Sequence, residues 1–417
     1  MNLRAPAWSV AALCALGCGG DRAAPPAPSP PPPAVVPSPA PAADRGAPPP
    51  ATPLLGTCAA AATLAVQTDR ALDALLDEAG RHLTAGAWAD AFTCADMAAD
   101  RAPRAIEAHH LRGAALAGAG RDREAAIAYD LALALDPEDP ETLRAVADFY
   151  INGVADKSRD TTALGLELAR RGAARAAARR RGAADLRAEL ALLQAQAAND
   201  LGRSDEAAEH AAAALALDRT LIDARHEHGV ALFNLGRAAE AAAELARVLE
   251  ARPDEPYAHH MLGLAREQLG ELAVAEQHFA RARALAPDEF PPPVAITADE
   301  MAAEIERAVA ALPPDDRARA AQVPIAIADR PDPADLAAAD PPFPPTILGL
   351  YRGLPLGVDA EPGEAPPPRA IVLYRLNLAR AVRTRAELSA QIERTLRHEL
   401  GHAAGLDEDD LRRRDLE

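Results

Sequence analysis

Leu235-Gly236-Arg237, Ala241 and Arg252-Pro253 recur 34 positions later as Leu269-Gly270-Glu271, Ala275 and Ala286-Pro287. The same phase holds upstream at Gly120, Ala125 and Pro137, and again at Gly86, Ala91 and Pro103; Leu201-Gly202-Arg203 with Ala207 supplies a further copy. A fixed period of this length marks a stack of like supersecondary units. Repeats begin at Leu72, Ile106, Ala188, Ile222 and Pro256. The first two are contiguous, as are the last three. Between them lie 48 residues (140–187), 14 more than one period, which read as an irregular repeat from position 140 with an insertion around Asn152–Thr162. The physical sense of the pattern is helical. Glycine at the fifteenth position ends a first helix and proline at the thirty-second ends a second. Small residues at the eighth and twentieth positions let the two helices approach closely.

These residues resemble the tetratricopeptide repeat, with glycine eighth (Gly113, Gly229, Gly263), alanine twentieth, Tyr129 and Phe279 twenty-fourth and proline thirty-second. The resemblance covers more than half the chain and implies an all-α tetratricopeptide solenoid over residues 56–289. One repeat cannot bury its apolar face alone, so the stack must form together. Solenoids of this family offer a concave groove lined by the first helix of each repeat. Positions 2, 5, 9 and 12 fall on that side, away from the glycine and alanine row. The fifth position is His110, His226 and His260; the second includes Glu107, Glu189, Asp223 and Tyr257; the twelfth includes Asn199, Phe233 and Glu267. His110, His226, His260, Asn199 and Phe233 therefore mark a candidate groove for a protein or peptide ligand, the alternative being a solvated face. The adjacent pairs His109-His110 and His259-His260 do not read as metal sites, because neighbouring residues point to different faces of a helix.

Composition agrees. The chain has 417 residues, 49 % apolar but only 3 % aromatic, so alanine and leucine must carry closely packed helices. A net charge of −18 and a pI near 5.1 speak against nucleic acid as a partner. The arginine group 170, 171, 175, 179, 180 and 181 lacks interleaved aromatics and reads as a solvated helix surface. Of the four cysteines, Cys14, Cys18, Cys58 and Cys94, none forms a C-x-x-C pair.

The N-terminus reads as an export signal. Residues 1–18 carry one charge at Arg4 and then a short apolar run, too short to span a bilayer. Ala15-Leu16-Gly17-Cys18 resembles a bacterial lipobox, which implies lipidation at Cys18, a membrane anchor and a location in the cell envelope facing the periplasm. Residues 19–55 are mainly Pro, Ala and Ser, with Ser29-Pro-Pro-Pro-Pro33 among them, and read as a disordered, extended spacer. Cys58 and Cys94 could pair in an oxidising compartment, though nothing in the spacing requires it.

The composition changes at Phe290-Pro-Pro-Pro293, where a small α+β domain (295–417) begins. Thr297 with Glu300 reads as a capping box opening a helix over 298–311, closed by Pro313-Pro314. Strands are expected at 323–328, 347–352 and 370–375, with a proline- and Asp-rich loop at 329–345. A long helix follows from about 384 to 404, with Leu388, Ile392, Leu396 and Ala403 as its apolar row. It carries His398-Glu399-Leu-Gly-His402 and is followed by Ala-Ala-Gly405-Leu-Asp-Glu408. Two histidines four apart on a helix share one side and can hold one zinc ion, with the glutamate between them as general base.

Beyond that motif, Leu348-Gly-Leu-Tyr-Arg-Gly-Leu-Pro355, Ile371-Val-Leu-Tyr374 and Gly405-Leu-Asp-Glu-Asp-Asp-Leu411 resemble the minimal zincin-like metallopeptidase family. Several members of that family have a second histidine where this chain has Ala403. The resemblance implies Zn²⁺ as cofactor, held by His398, His402 and an acid after Gly405, with Glu399 catalytic. Glu408 stands at the matching place; Asp407 and Asp409 are neighbours that could substitute. Tyr351 and Tyr374 are the side chains that could assist an oxyanion, or else they pack. The leading expectation is a zinc-dependent peptidase whose repeats recruit a protein or peptide. The alternatives are an envelope scaffold with an inactive zincin-like domain, or an assembly lipoprotein that uses the groove alone.

Overall fold

The computed structural model describes residues 68–178, 183–360, 368–414 and 416. Cys18, the spacer 19–55, Cys58 and Arg179–Arg181 lie outside the described residues. The period becomes six helical hairpins: α1 (Thr68–Thr84) with α2 (Trp88–Arg101), α3 (Ile106–Gly118) with α4 (Asp122–Leu135), α5 (Pro140–Asp148) with α6 (Arg159–Ala178), α7 (Ala184–Asp200) with α8 (Ser204–Leu217), α9 (Ile222–Asn234) with α10 (Ala238–Ala251), and α11 (Pro256–Gln268) with α12 (Leu272–Leu285). This is the solenoid the repeat implies.

The turns within five hairpins share one geometry. Gly86, Gly120, Gly202, Gly236 and Gly270 all sit at φ between 71 and 80°, where a side chain would be strained. At Gly236 the chain closes a double hydrogen-bonded helix end, with Gly236 N–H on Phe233 O and Arg237 N–H on Leu232 O, each 2.9 Å. Packing is equally regular. A Cβ at Gly113 would lie 2.7 Å from the Tyr129 ring, one at Gly229 2.8 Å from Leu245, and one at Gly263 2.6 Å from Phe279. The twentieth-position alanines, Ala91, Ala125, Ala207, Ala241 and Ala275, are all buried. Each fourth-position histidine of the two His-His pairs fastens neighbouring units: His109 Nε2 reaches Pro103 O at 2.9 Å and His259 Nε2 reaches Pro253 O at 3.0 Å.

The irregular repeat lacks the fifteenth-position glycine, and its first helix ends instead in a π turn, Phe149–Gly153. The extra residues are spread along the repeat. Some form the loop that follows the π turn, where Ala155 N–H donates to Asp122 and Lys157 pairs with Asp200. Others lengthen α6 to 20 residues, against 14 in the second helices on either side. Burial raises the Asp200 carboxyl to about 6, although Lys157 pulls it down. Cys94 is buried in the first hairpin core and disulfide-bonded; the other cysteines lie outside the described residues.

The C-terminal domain places α13 (Ala298–Ala311) and α14 (Pro314–Ala320) ahead of a three-stranded sheet. Its strands β1 (Ile325–Ala328), β2 (Gly349–Arg352) and β3 (Ala370–Tyr374) lie in the order β1-β3-β2, with β1 parallel and β2 antiparallel to β3. Central β3 is apolar throughout because both its faces are covered. Ile371 and Leu373 join a core with Met301, Ile305 and Leu312 of the α13 side and Leu388, Ile392 and Leu396 of the long helix; Val372 and Tyr374 join Leu336 and Ile347 on the other face. Both reciprocal bonds of the expected Thr297–Glu300 capping box are present. Three short helices do not appear in the sequence reading: α14 itself, α15 (Pro333–Leu336), capped by Asp332 in the expected loop, and α16 (Arg375–Arg380), which starts where the expected strand ends.

The two domains meet over the last repeat. Glu267, 7 % exposed, accepts two 2.7 Å bonds from Arg380, whose guanidinium lies 4.7 Å from the Phe279 ring centre. Arg330 donates to the Glu267 carbonyl. Phe290 stacks on His260 at 4.6 Å and meets Tyr257 edge-on at 5.0 Å. Tyr257, His260 and Glu267, which by position alone line the groove, are therefore occupied by the domain junction.

Candidate metal centre

The site is built on α17 (Arg385–Ala403), which opens in a Thr384–Glu387 capping box and buries Leu388, Ile392, Leu396 and Ala403 against the sheet. With that face anchored, His398 and His402 emerge together, their rings T-shaped with centroids 4.8 Å apart. Gly405, at φ 81°, turns the chain back, so that Leu406 N–H reaches Gly401 O at 3.0 Å. Asp407 then caps α18 (Glu408–Arg413), accepting from Asp410 N–H at 2.7 Å. This return delivers Glu408 to the histidines: its Oε1 is 3.3 Å from His402 Nε2 and 3.8 Å from His398 Nε2. Of the two neighbouring acids, Asp407 is taken by the cap and Asp409 by Arg412 at 2.6 Å. Among the described residues, His398, His402 and Glu408 are the one group of three such donors close enough to share an ion.

Both imidazoles are oriented from behind by backbone carbonyls. His398 Nδ1 lies 2.9 Å from Leu416 O and His402 Nδ1 lies 3.0 Å from Leu406 O. A carbonyl only accepts, so each Nδ1 carries a proton and each Nε2 presents its lone pair forward. The two Nε2 atoms face each other at 3.1 Å. Such an arrangement calls for positive charge between them, a proton or a metal ion. The Oε2 of Glu408, buried and without a partner, adds a second unmet demand. Tetrahedral zinc with bonds of about 2.0 Å sets its ligands about 3.3 Å apart, close to the 3.1, 3.3 and 3.8 Å found here. The donor set thus fits zinc. Electrostatics agree: burial lowers His402, but the Glu408 contact and the charge of Glu399 outweigh it and hold it above its ordinary value. Burial raises Glu408, yet the two histidines bring it below the usual carboxylate range.

Glu399, 5 % exposed, is held by an element distant in sequence. Tyr351 N–H on β2 donates to its Oε2 at 2.6 Å. The strand can come this close because position 349 is glycine: a Cβ there would lie 2.7 Å from Thr395 Cγ2 and 3.2 Å from Glu399 Cγ. Burial raises the Glu399 carboxyl, partly offset by the histidines and the Tyr351 amide. The two tyrosines weighed as oxyanion partners are engaged elsewhere. Tyr351 OH donates to Leu354 O at 2.7 Å, and the buried Tyr374 OH donates to Asp335 at 2.8 Å.

The candidate groove residues do not share one setting. Phe233 is 1 % exposed in the helical core, and Asn199, 7 % exposed, donates to the Glu227 carboxylate at 2.8 Å. Both are corrections to the groove reading, for residues of the next repeat surround them: Phe233 shares a core with Leu262 and Leu264, and Asn199 is held by Glu227. His110 tilts against Tyr129 at 6.3 Å, and burial lowers its pKa to about 4. His226 lies beside Glu227, with Nε2 buried and unpartnered. His260 belongs to the junction. Residue types do not reveal the Tyr351 amide or the Leu406 and Leu416 carbonyls. The only available signal is Gly349 within a strand, which marks a close backbone approach.

Residues 320–417 match a family model described as zincin-like metallopeptidase. No curated protein matches the chain. Among solved structures, the chain is similar to YrrB, a tetratricopeptide repeat protein described as having an unusual peptide-binding site, at 18 % identity and TM-score 0.37 over 48 % of this chain and 93 % of that one. It is similar to PilF of Pseudomonas aeruginosa at 14 % identity and TM-score 0.46, covering 54 % and 96 %. It is also similar to PilW, described as a type IV pilus biogenesis factor, at 14 % identity and TM-score 0.46, covering 52 % and 96 %.

Proposed function

We propose that this chain is a zinc-dependent peptidase whose helical repeats recruit a protein or peptide, held at a membrane by acyl chains on Cys18. The observation that carries the catalytic part is the pair of Nε2 atoms 3.1 Å apart with Glu408 beside them and Glu399 between them in sequence. His398, His402 and Glu408 would hold the ion. Zinc in a three-ligand site of this kind supplies Lewis acidity and makes water more acidic. Tyr351 N–H fixes Glu399 Oε2 and thereby orients the carboxyl to take a proton from an attacking water and return it to a leaving amine.

Zinc bound per chain, measured on the purified protein, is expected to approach one equivalent and to vanish in the His398→Ala/His402→Ala variant. A metal content under about a tenth of an equivalent sinks the reading. Glu399→Gln should keep the zinc and lose roughly 100- to 10,000-fold in peptide cleavage, the usual worth of a general base. Equal cleavage by the parent removes Glu399 from the mechanism. For the anchor, mass spectrometry of the membrane fraction should find acylated Cys18; an unmodified soluble chain overturns that part.

A further inference from the structure

The C-terminal domain carries fifteen arginines. Twelve meet an oxygen acceptor on a carboxylate or a carbonyl. Among the described residues, Arg394, Arg397 and Arg414 do not. Two of these three share one cavity of about 260 Å³, lined by Ala390, Glu393, Arg394, Arg397 and Leu416. The Nε of Arg397 is shut off from solvent without a hydrogen-bond partner. Arg112, Arg266 and Arg352 also have a buried Nε without a hydrogen bond, but each is ion-paired: the Arg112 Nε lies 3.3 Å from Asp96, and Arg266 and Arg352 pair through a terminal nitrogen with Glu271 and Asp335. Arg397 alone among them has its whole fork unengaged. A desolvated donor left unmet is costly, so such a group reads as awaiting an acceptor.

We propose that Arg394 and Arg397 form a carboxylate-binding subsite beside the metal centre, taking the terminal or side-chain carboxylate of a peptide. The planar fork of Arg397 suits a two-oxygen acceptor. Among the described lining residues, Arg394 and Arg397 against Glu393 leave a formal charge of +1, which matches one carboxylate better than a phosphate dianion. The position ties the subsite to the chemistry. Leu416, which lines the same cavity, supplies the carbonyl that orients His398 Nδ1. The peptidase reading enters this inference only in naming a peptide as the bearer of the carboxylate.

The test uses the full chain carrying Glu399→Gln, so that cleavage does not intrude, and fluorescein-labelled tetra-alanine probes read by anisotropy. One probe has a free C-terminal acid, one a C-terminal amide, and one an amide with a glutamate at its third position. At least one acidic probe should bind about tenfold or more tightly than the neutral amide, the worth of a single charge-assisted contact. Arg394→Gln/Arg397→Gln should abolish that preference with an unchanged circular dichroism spectrum. Arg397→Lys, which keeps the charge and loses the fork, should fall between. Binding of the acid-terminated probe assigns the subsite to chain ends, and binding of the glutamate probe assigns it to side chains. Equal affinity for all three probes, or parental preference in the double variant, overturns the proposal. Zinc is assayed in the same samples. Acid preference without zinc keeps the subsite and sinks the peptidase reading; zinc without acid preference does the reverse.

Discussion

Gly263 and Gly349 both let another element come within reach of a backbone, and they do so to different ends. Under Gly263 lies the ring of Phe279, as Tyr129 lies under Gly113 and Leu245 under Gly229. The contact is apolar, repeated and internal to a hairpin. Against Gly349 lie Thr395 and Glu399, and the approach occurs once, between a strand and a helix distant in sequence. In the solenoid, close packing is shared among copies and stabilises the stack. In the C-terminal domain it serves one hydrogen bond, from Tyr351 N–H to the candidate general base. The same residue type thus stabilises in one region and positions in the other.

The strongest way to break this division is at the junction, where the two regions share a largely buried ion pair. Glu267→Gln leaves Arg380 without its carboxylate and should lower unfolding free energy by about 3 kcal/mol, the low end for breaking such a pair; Arg380 retains 20 % side-chain exposure. A loss under about 1 kcal/mol in denaturant titration would mean that the domains unfold independently. Next comes Gly349→Ala. Displacing the strand should cost up to about 100-fold in peptide cleavage, as a misplaced catalytic group does, while the melting temperature changes little. A large fall in stability with unchanged cleavage would make Gly349 a packing residue like Gly263. Third, Gly263→Ala and Gly113→Ala, each facing a ring at 2.6–2.7 Å, should each cost about 1–3 kcal/mol of overpacking. Markedly unequal losses, by urea titration, would show that the copies are not energetically alike.

The smallest effect is that of pH. Burial first, and then Arg380 and Arg283, lower the pKa of His260 to about 4 from an unfolded value of 6.5. The native state therefore binds fewer protons in this window. The stability this histidine contributes is full above pH 6.5 and is lost as pH falls toward 4. His110 behaves alike. His260→Phe should keep the stack on Phe290 and flatten the stability profile between pH 6.5 and 4; an unaltered slope would assign the acid sensitivity elsewhere.

Much of this was legible in the chain. The 34-residue period, the turn glycines and the packing alanines lie at fixed short offsets, so one hairpin can be read from its own residues. His398, Glu399 and His402 likewise occupy a single helix, and Glu408 follows one turn after a glycine. The irregular repeat was less legible, because its helix end uses a π turn that no single residue type signals. Phe233 and Asn199 escaped for a related reason: helical spacing states which face a residue takes, not whether the next repeat covers it.

Sequence alone therefore determined what is local and periodic: the solenoid, the motif helix and the donor types at the candidate metal centre. The tertiary structure decided what depends on backbone atoms and distant partners. Tyr351 N–H meets Glu399 across 48 positions and Arg380 meets Glu267 across 113, while the Leu416 carbonyl sets which nitrogen of His398 faces forward. A main-chain amide or carbonyl is the same in every residue but proline. Where it points is fixed only once the elements around it have packed.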